Sequence, residues 1–215
     1  MHQPTIDVSR LSERQDRRRE SLDAVLDSTP LATIAFVRDG HPVALPIGFA
    51  RVEDELVIHG STGSPWLREI SDGAPVSVCV TTLDGIVVAR SGFESSFHYR
   101  SAVLFGRFTP VVGVEKNEYL LALTDTFIPG RVAELRASTA KELAATLVLR
   151  MPIETDNWSL KVADGWPEDD DSDVEAGGWA GVVPIVTSYG SPLRAPDCDP
   201  AVPLPESVRS MTVRP

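Results

Sequence analysis

The 215-residue sequence has few cysteines and no long apolar run. Its two cysteines, Cys79 and Cys198, are too few for a disulfide framework. No segment reaches the roughly 18 apolar residues of a membrane-spanning helix, and the first residues show no apolar core of a signal peptide. These absences exclude a disulfide-built secreted domain and an integral membrane protein, and the expected location is the cytoplasm.

Basic residues are the minority. Lysine and arginine number 20 against 31 acidic residues, which gives a net charge of −11. This balance argues against nonspecific binding of nucleic acid, because such binding needs a positive face toward the phosphates. The acidic residues cluster in residues 168–175, which we interpret as a solvated loop. A local basic pocket for a small anionic ligand remains compatible with this charge.

Short motifs of well-known chemistry are missing as well. The sequence has no GxGxxG, P-loop, HExxH, CxxC or GxSxG segment. His2, His41, His59, His98 and Cys79 show no metal-ligand spacing, so no metal site is predicted. Cys79 lies in the apolar segment SVCV and is expected to be a buried core thiol.

The sequence does contain short β-forming segments separated by turns, with helical patterns between some of them. Asp39-Gly40 and Asp84-Gly85 are typical hairpin turns. The predicted strands cover residues 31–37, 42–51, 55–60, 74–83, 86–93, 99–112, 145–154 and 158–164. Helices are predicted over 17–27, after Ser64-Pro65, over 115–127 and after the capping box Thr139–Glu142. A short apolar segment begins at Trp179. This pattern favours an antiparallel β-barrel decorated by helices.

Two polar segments at strand ends are candidate ligand sites. Residues 59–64 (HGSTGS) join a strand to a helix, and hydroxyls and free amides at a helix start suit a phosphate. The alternative is an ordinary cap and turn. Residues 95–101 contain Arg100, whose planar guanidinium suits a phosphate or carboxylate. Strand alternation puts Tyr99 and Ser101 on one face and Arg100 on the other. The alternative is that Arg100 pairs with an acidic neighbour.

Residues 31–70 and 76–108 together resemble the flavin-nucleotide-binding proteins of the pyridoxamine 5′-phosphate oxidase-like superfamily. The segments HGS, LDG, ARS and HYRSAVLFG carry the likeness, and the branch that includes nitroimidazole-resistance proteins is the most similar. The resemblance implies a mainly β fold with helices, the split antiparallel β-barrel of the FMN-binding type, over residues 17–187. Residues 1–16 are then an N-terminal tail and residues 188–215 a proline-rich C-terminal arm or tail. The family is usually a homodimer that binds FMN in two clefts between the subunits.

The resemblance also implies site residues in the first polar segment. His59, Gly60 and Ser61 would line the isoalloxazine ring and the ribityl chain, and Ser64 would hold the phosphate. One departure from the branch is Trp66, because that position is commonly a lysine. This change favours weaker FMN binding or a different flat ligand, and related split barrels bind deazaflavin cofactor or haem.

Further site residues are implied along the long strand and beyond it: Ser96, Tyr99, Arg100, Ser101, Lys161 and Trp179. Arg100 and Ser101 would reach the phosphate or the ring edge, with Tyr99 and Ser96 beside them. Lys161 would lie near the cleft, and Trp179 would approach the flavin of the partner subunit.

The implied function is an FMN-dependent oxidoreductase that passes electrons to a small aromatic or nitro-type acceptor. One alternative is a non-catalytic protein that binds or senses flavin, deazaflavin or haem. Another is a degenerate split barrel that serves only as a dimeric scaffold. No catalytic residue is assigned, because the sequence shows no evident acid or base beyond His59 and His98.

Overall fold

The computed structural model describes residues 11–213, and the side chain of Val213 is left out. Strands in this part of the chain are β1 Gln15–Asp16, β2 Leu31–Arg38, β3 His41–Val52, β4 Glu55–Ser61, β5 Val76–Val88, β6 Ser96–Gly106, β7 Thr109–Pro110, β8 Thr146–Pro152, β9 Trp158–Ala163 and β10 Gly181–Pro184. Helices are α1 Arg19–Ser28, α2 Pro65–Ser71, α3 Glu115–Phe127, α4 Ala140–Ala145, α5 Asp171–Ala176 and α6 Glu206–Val213. The predicted split antiparallel barrel is confirmed.

The strands form one antiparallel sheet in the order β1-β9-β6-β5-β2-β3-β4-β8-β7, with β10 on part of β5. Residues 41–48 of β3 pair with β2 and residues 49–52 pair with β4, so this 12-residue strand joins the two parts of the barrel. Asp39 and Gly40 both have positive φ, at 50° and 77°, which confirms the predicted turn between β2 and β3.

The main core lies inside the barrel and under α1 and α2. The buried face of α1 consists of Leu22, Val25 and Leu26, as its spacing predicts. Helix α2 contributes Leu67 and Ile70. A second, smaller core lies between α3 and the outer face of β3, β4 and β8: Ala50, Val57, Val111, Leu123 and Val148.

Asn157 fastens the turn between β8 and β9 to the end of β6. Its side chain accepts a hydrogen bond from the Glu154 amide at 2.8 Å and donates to the carbonyls of Phe105 at 3.1 Å and Pro152 at 2.9 Å. Strand β6 ends at Gly106, where an added Cβ would lie 2.8 Å from the sulfur of Met151. Residues 109–110 pair with β8 instead, so the predicted strand 99–112 is two strands.

The predicted turn at Asp84-Gly85 is wrong. Strand β5 runs through it as far as Val88, with a bulge between Leu83 and Gly85. Two neighbours keep this half of β5 extended, since β6 pairs with one edge and β10 with the other. The chain therefore reverses after β5, within residues 89–95.

Two other predictions differ from the structure. The acidic run contains helix α5, and the Asp169 carboxylate, only 2% exposed, binds Arg90 at 2.8 Å rather than facing solvent. The proline-rich arm ends in helix α6, where the buried Ser207 donates to Glu134 at 2.5 Å. Most of the predicted N-terminal tail lies outside the described residues, and no described helix is long and apolar enough to cross a bilayer.

Candidate functional site

The end of β4 presents its residues to alternate sides. An added Cβ at Gly60 would lie 2.3 Å from a methyl group of Leu67, so a larger residue there would require the Leu67 side chain of α2 to shift. Ser61 accepts a hydrogen bond from the Gly63 amide at 3.1 Å and forms a turn. Ser64 stands at the N-cap position of α2 as predicted, although its side chain caps no amide. This segment therefore has a complete structural role within one chain.

His59 points away from the barrel, beneath α3. The cleft between α3 and α4 has a volume of about 310 Å³ and includes His59 among its lining residues. The imidazole lies 6.3 Å from the Phe127 ring, measured between ring centroids. Its Nδ1 atom is fully buried and has no hydrogen-bond partner. Burial lowers the pKa of His59, so the imidazole is neutral at pH 7.

The second group of candidate site residues lies on the outer face of β5, β6 and β9, where it forms a half-exposed surface. We call Thr81, Leu83, Tyr99, Ser101 and Lys161 the outer strip. Thr81, Ser101 and Lys161 lie side by side in register, and the two hydroxyl oxygens are 3.0 Å apart. Leu83 is paired with Tyr99 in the neighbouring row, and the Lys161 Nζ atom lies 5.9 Å from the Tyr99 ring centroid. The strip combines apolar surface with three polar groups.

Cys79 lies beside this strip, so the prediction of a buried core thiol is wrong. In β5 the valines at 78 and 80 fill the core, and alternation turns Cys79 outward. Its sulfur is half-exposed and lies 3.4 Å from the Thr81 hydroxyl oxygen.

Arg100 is on the opposite face of β6 and is already paired. Its guanidinium forms two hydrogen bonds of 2.9 Å with the carboxylate of Asp84, the residue at the β5 bulge. The structure therefore shows the alternative of an acidic neighbour, and a cofactor role for Arg100 stays a prediction. The Arg100 guanidinium holds the pKa of the Asp84 carboxyl below its usual range.

A pH-dependent contribution to stability follows from this pair. A lowered carboxyl pKa stabilises the folded state above the unfolded value of about 4 and loses this effect as the pH falls below it. We expect Arg100→Met to cost about 1 kcal/mol at pH 7 and much less near pH 3. Urea unfolding of both proteins at the two pH values measures this, with Asp84→Asn as the matched variant. An equal loss at both pH values would contradict it.

The remaining predicted site residues flank the outer strip. Ser96 is exposed at the start of β6. Trp179 precedes β10 and is mostly exposed, with its ring over Gly181 at 3.0 Å from the position of an added Cβ. Trp66 instead packs into the barrel region, 6.2 Å from the Phe36 ring.

The residues at the end of β4 and the outer strip belong to separate parts of the sheet within one chain. Strands β3, β2 and β5 lie between β4 and β6 in the sheet. The described residues contain no group of three or more His, Cys, Asp and Glu side chains arranged to hold a metal ion. The sequence analysis missed Thr81, although alternation along β5 places it opposite Ser101.

Comparison with known proteins decides the family. A family model described as pyridoxamine 5′-phosphate oxidase matches residues 18–157. The chain belongs to the pyridoxamine 5′-phosphate oxidase family. No curated protein sequence is significantly similar to this family member.

Two solved structures resemble this family member over nearly the whole chain. One, described as an FAD and haem binding protein from Mycobacterium smegmatis, is 67% identical with a TM-score of 0.91, over 93% of this chain and 97% of the other. The flavocytochrome Anf3 from Azotobacter vinelandii is 34% identical with a TM-score of 0.87, over 95% of this chain and 94% of the other.

A third structure shares the fold alone. It is described as a putative 5-nitroimidazole antibiotic resistance protein from Bacteroides thetaiotaomicron, and it is 13% identical with a TM-score of 0.59. The match covers 75% of this chain and 89% of the other.

Proposed function

We propose that the protein binds a flavin nucleotide against the outer strip and uses it as an electron-transferring oxidoreductase. The observation that carries the proposal is the row of Thr81, Ser101 and Lys161 beside the apolar surface of Leu83 and Tyr99. The relative that is 67% identical is described as binding FAD, and the relative that is 34% identical is described as a flavocytochrome. Both descriptions support a flavin.

The chemistry of the strip suits a flavin. A three-ring system needs a flat apolar surface, and its heteroatoms and phosphates need a few fixed donors. Leu83 and Phe97, 50% and 53% exposed, offer the apolar surface on the two central strands β5 and β6. Two hydroxyls and the Lys161 ammonium offer the donors. The bound flavin would supply the redox chemistry, and these residues would bind and orient its ring.

The flavin proposed here is FAD in preference to FMN. The reason is that the 67% identical relative is described as an FAD binding protein. Heat release of the flavin from the purified protein, followed by chromatography against FAD and FMN standards, identifies it. A small aromatic or nitro-type acceptor remains our proposal for the substrate.

A homodimer is part of the same proposal. Leucine, isoleucine and phenylalanine side chains on the central strands are exposed to water. A two-fold partner would cover this apolar surface. Such a partner would also bring the β4 group of one copy toward the outer strip of the other, which a single chain does not do.

A combined flavin and haem protein is the second candidate. Both relatives of high coverage have descriptions that name a haem or a cytochrome. The observation that favours it is that His59 lines a cleft between two helices and has a ring nitrogen, Nδ1, without a hydrogen-bond partner. Such a protein would transfer electrons between the two groups.

Lys161→Ala is expected to weaken flavin binding about 10- to 100-fold, because a hydrogen bond from a charged group contributes about 1.5–3 kcal/mol. Titration of the flavin-free protein, followed by quenching of flavin fluorescence, measures the affinity. Lys141→Ala on the exposed face of α4 is the matched control and should bind like the wild type. A loss of affinity in Lys161→Ala no larger than that in Lys141→Ala would overturn this site.

A further inference from the structure

The described part of the chain contains three histidines, and they differ in what their ring nitrogens contact. His41 is exposed at the start of β3. The His98 Nε2 atom lies 2.7 Å from the carbonyl oxygen of Gly165. His59 has a fully buried Nδ1 with no partner. Native proteins rarely leave a buried polar atom unpaired, so this imidazole calls for a ligand that the chain itself does not provide.

The surroundings of His59 suit a flat apolar group. Half of the ten residues that line the cleft of about 310 Å³ are hydrophobic, and they belong to α3, α4 and the residues between them: Leu120, Leu123, Phe127, Ile128 and Leu143. Its volume falls at the lower end of the range for small-molecule sites. Polar side chains also line it, among them Ser138 and Glu142, and Glu142 is ion-paired with the exposed Arg136 at 2.6 Å. The apolar side chains suit the flat faces of a macrocycle.

We propose that His59 is an axial ligand of a haem iron bound in the cleft between α3 and α4. This inference rests on the second candidate function above, the pairing of flavin with haem. Iron coordination by a ring nitrogen requires a neutral imidazole, and burial disfavours the charged form of His59. Haem bound there would supply one-electron chemistry, and His59 would fix the iron on the outer face of β4.

Packing alone is the competing explanation for His59. The contact with the Phe127 ring would then be the whole role of the imidazole, and an apolar substitute would serve as well. The two explanations differ in one respect, because only an iron ligand changes the spectrum of bound haem.

The test is titration of the full-length protein with hemin, followed by the Soret band. The wild type should bind about one hemin per chain with the spectrum of a histidine-ligated haem. His59→Ala should bind hemin more weakly by over about 10-fold, the lower end of the loss from removing an outer-sphere partner of a metal ligand. Added imidazole should restore the ligated spectrum in this variant. His98→Ala is the matched control and should behave like the wild type.

The assignment would be overturned if His59→Ala bound hemin as tightly as the wild type and with the same spectrum. It would also be overturned if the wild type bound no hemin. Leu143→Trp narrows the cleft from α4, leaves His59 in the chain and should also weaken hemin binding, which decides the matter if His59→Ala fails to fold. Flavin content is measured separately on each protein. Flavin without hemin would refute this inference alone, whereas hemin bound through His59 without flavin would refute the flavin proposal alone.

Discussion

Asn157→Ala is expected to lower the free energy of unfolding by about 3 kcal/mol, because three hydrogen bonds of a buried amide are lost together. The side chain is 2% exposed, and its partners are the Glu154 amide and the carbonyls of Phe105 and Pro152. These bonds hold the turn between β8 and β9 against the end of β6, so their loss loosens the place where the two parts of the barrel meet. In a chain of this length the loss corresponds to a fall in Tm of roughly 10 °C.

Urea unfolding followed by far-UV circular dichroism measures the difference. Asn117→Ala is the matched control, since Asn117 lies on the first turns of α3 and is only partly buried. Asn157→Asp should be at least as damaging as the alanine variant, because a carboxylate would face two carbonyl oxygens. A change within about 0.5 kcal/mol, the range typical of surface substitutions, would show that water replaces the side chain.

The barrel was predictable because its signals are local. The short β-forming runs of β2 and β4, the glycine turn after Arg38 and the capping box at Thr139 each depend on neighbouring residues, and the structure confirms all of them. Asp84-Gly85 has the same local signal as Asp39-Gly40. Its outcome differs because β6 and β10 pair with β5 on both edges, and no local pattern contains that information.

The candidate site was less predictable, because its contacts join segments that are distant in the chain. The identity of polar residues at strand ends indicates chemistry, but their partners depend on the whole sheet. Arg100 pairs with Asp84 at a bulge in β5, and no sequence pattern indicates that bulge. His59 is covered by a helix more than 50 residues later in the chain, so its cleft exists only after folding. For the outer strip, the available signal was the alternation of side chains along β5 and along β6, which puts Thr81 and Ser101 on outward-facing positions.

Phe97→Asp is expected to convert a dimer into a monomer and to weaken flavin binding strongly. Phe97 is paired with Ile86 on the two central strands, and both side chains are exposed in a single chain. If a two-fold partner covers this surface, the substitution places a carboxylate in a desolvated interface, which costs several kcal/mol. Light scattering should then give the chain mass of 23.3 kDa for the variant and twice that mass for the wild type.

Val114→Asp separates this effect from a general effect of added charge. Val114 is 83% exposed and precedes α3, far along the chain from the outer strip. Aspartate suits the start of a helix, so this variant should stay folded, dimeric and able to bind flavin. The Phe97 variant should weaken flavin binding by at least about 100-fold, since each 1.4 kcal/mol changes an affinity tenfold. A monomeric variant that keeps its flavin would place the cofactor within one chain, whereas a dimeric variant would place the interface on another surface.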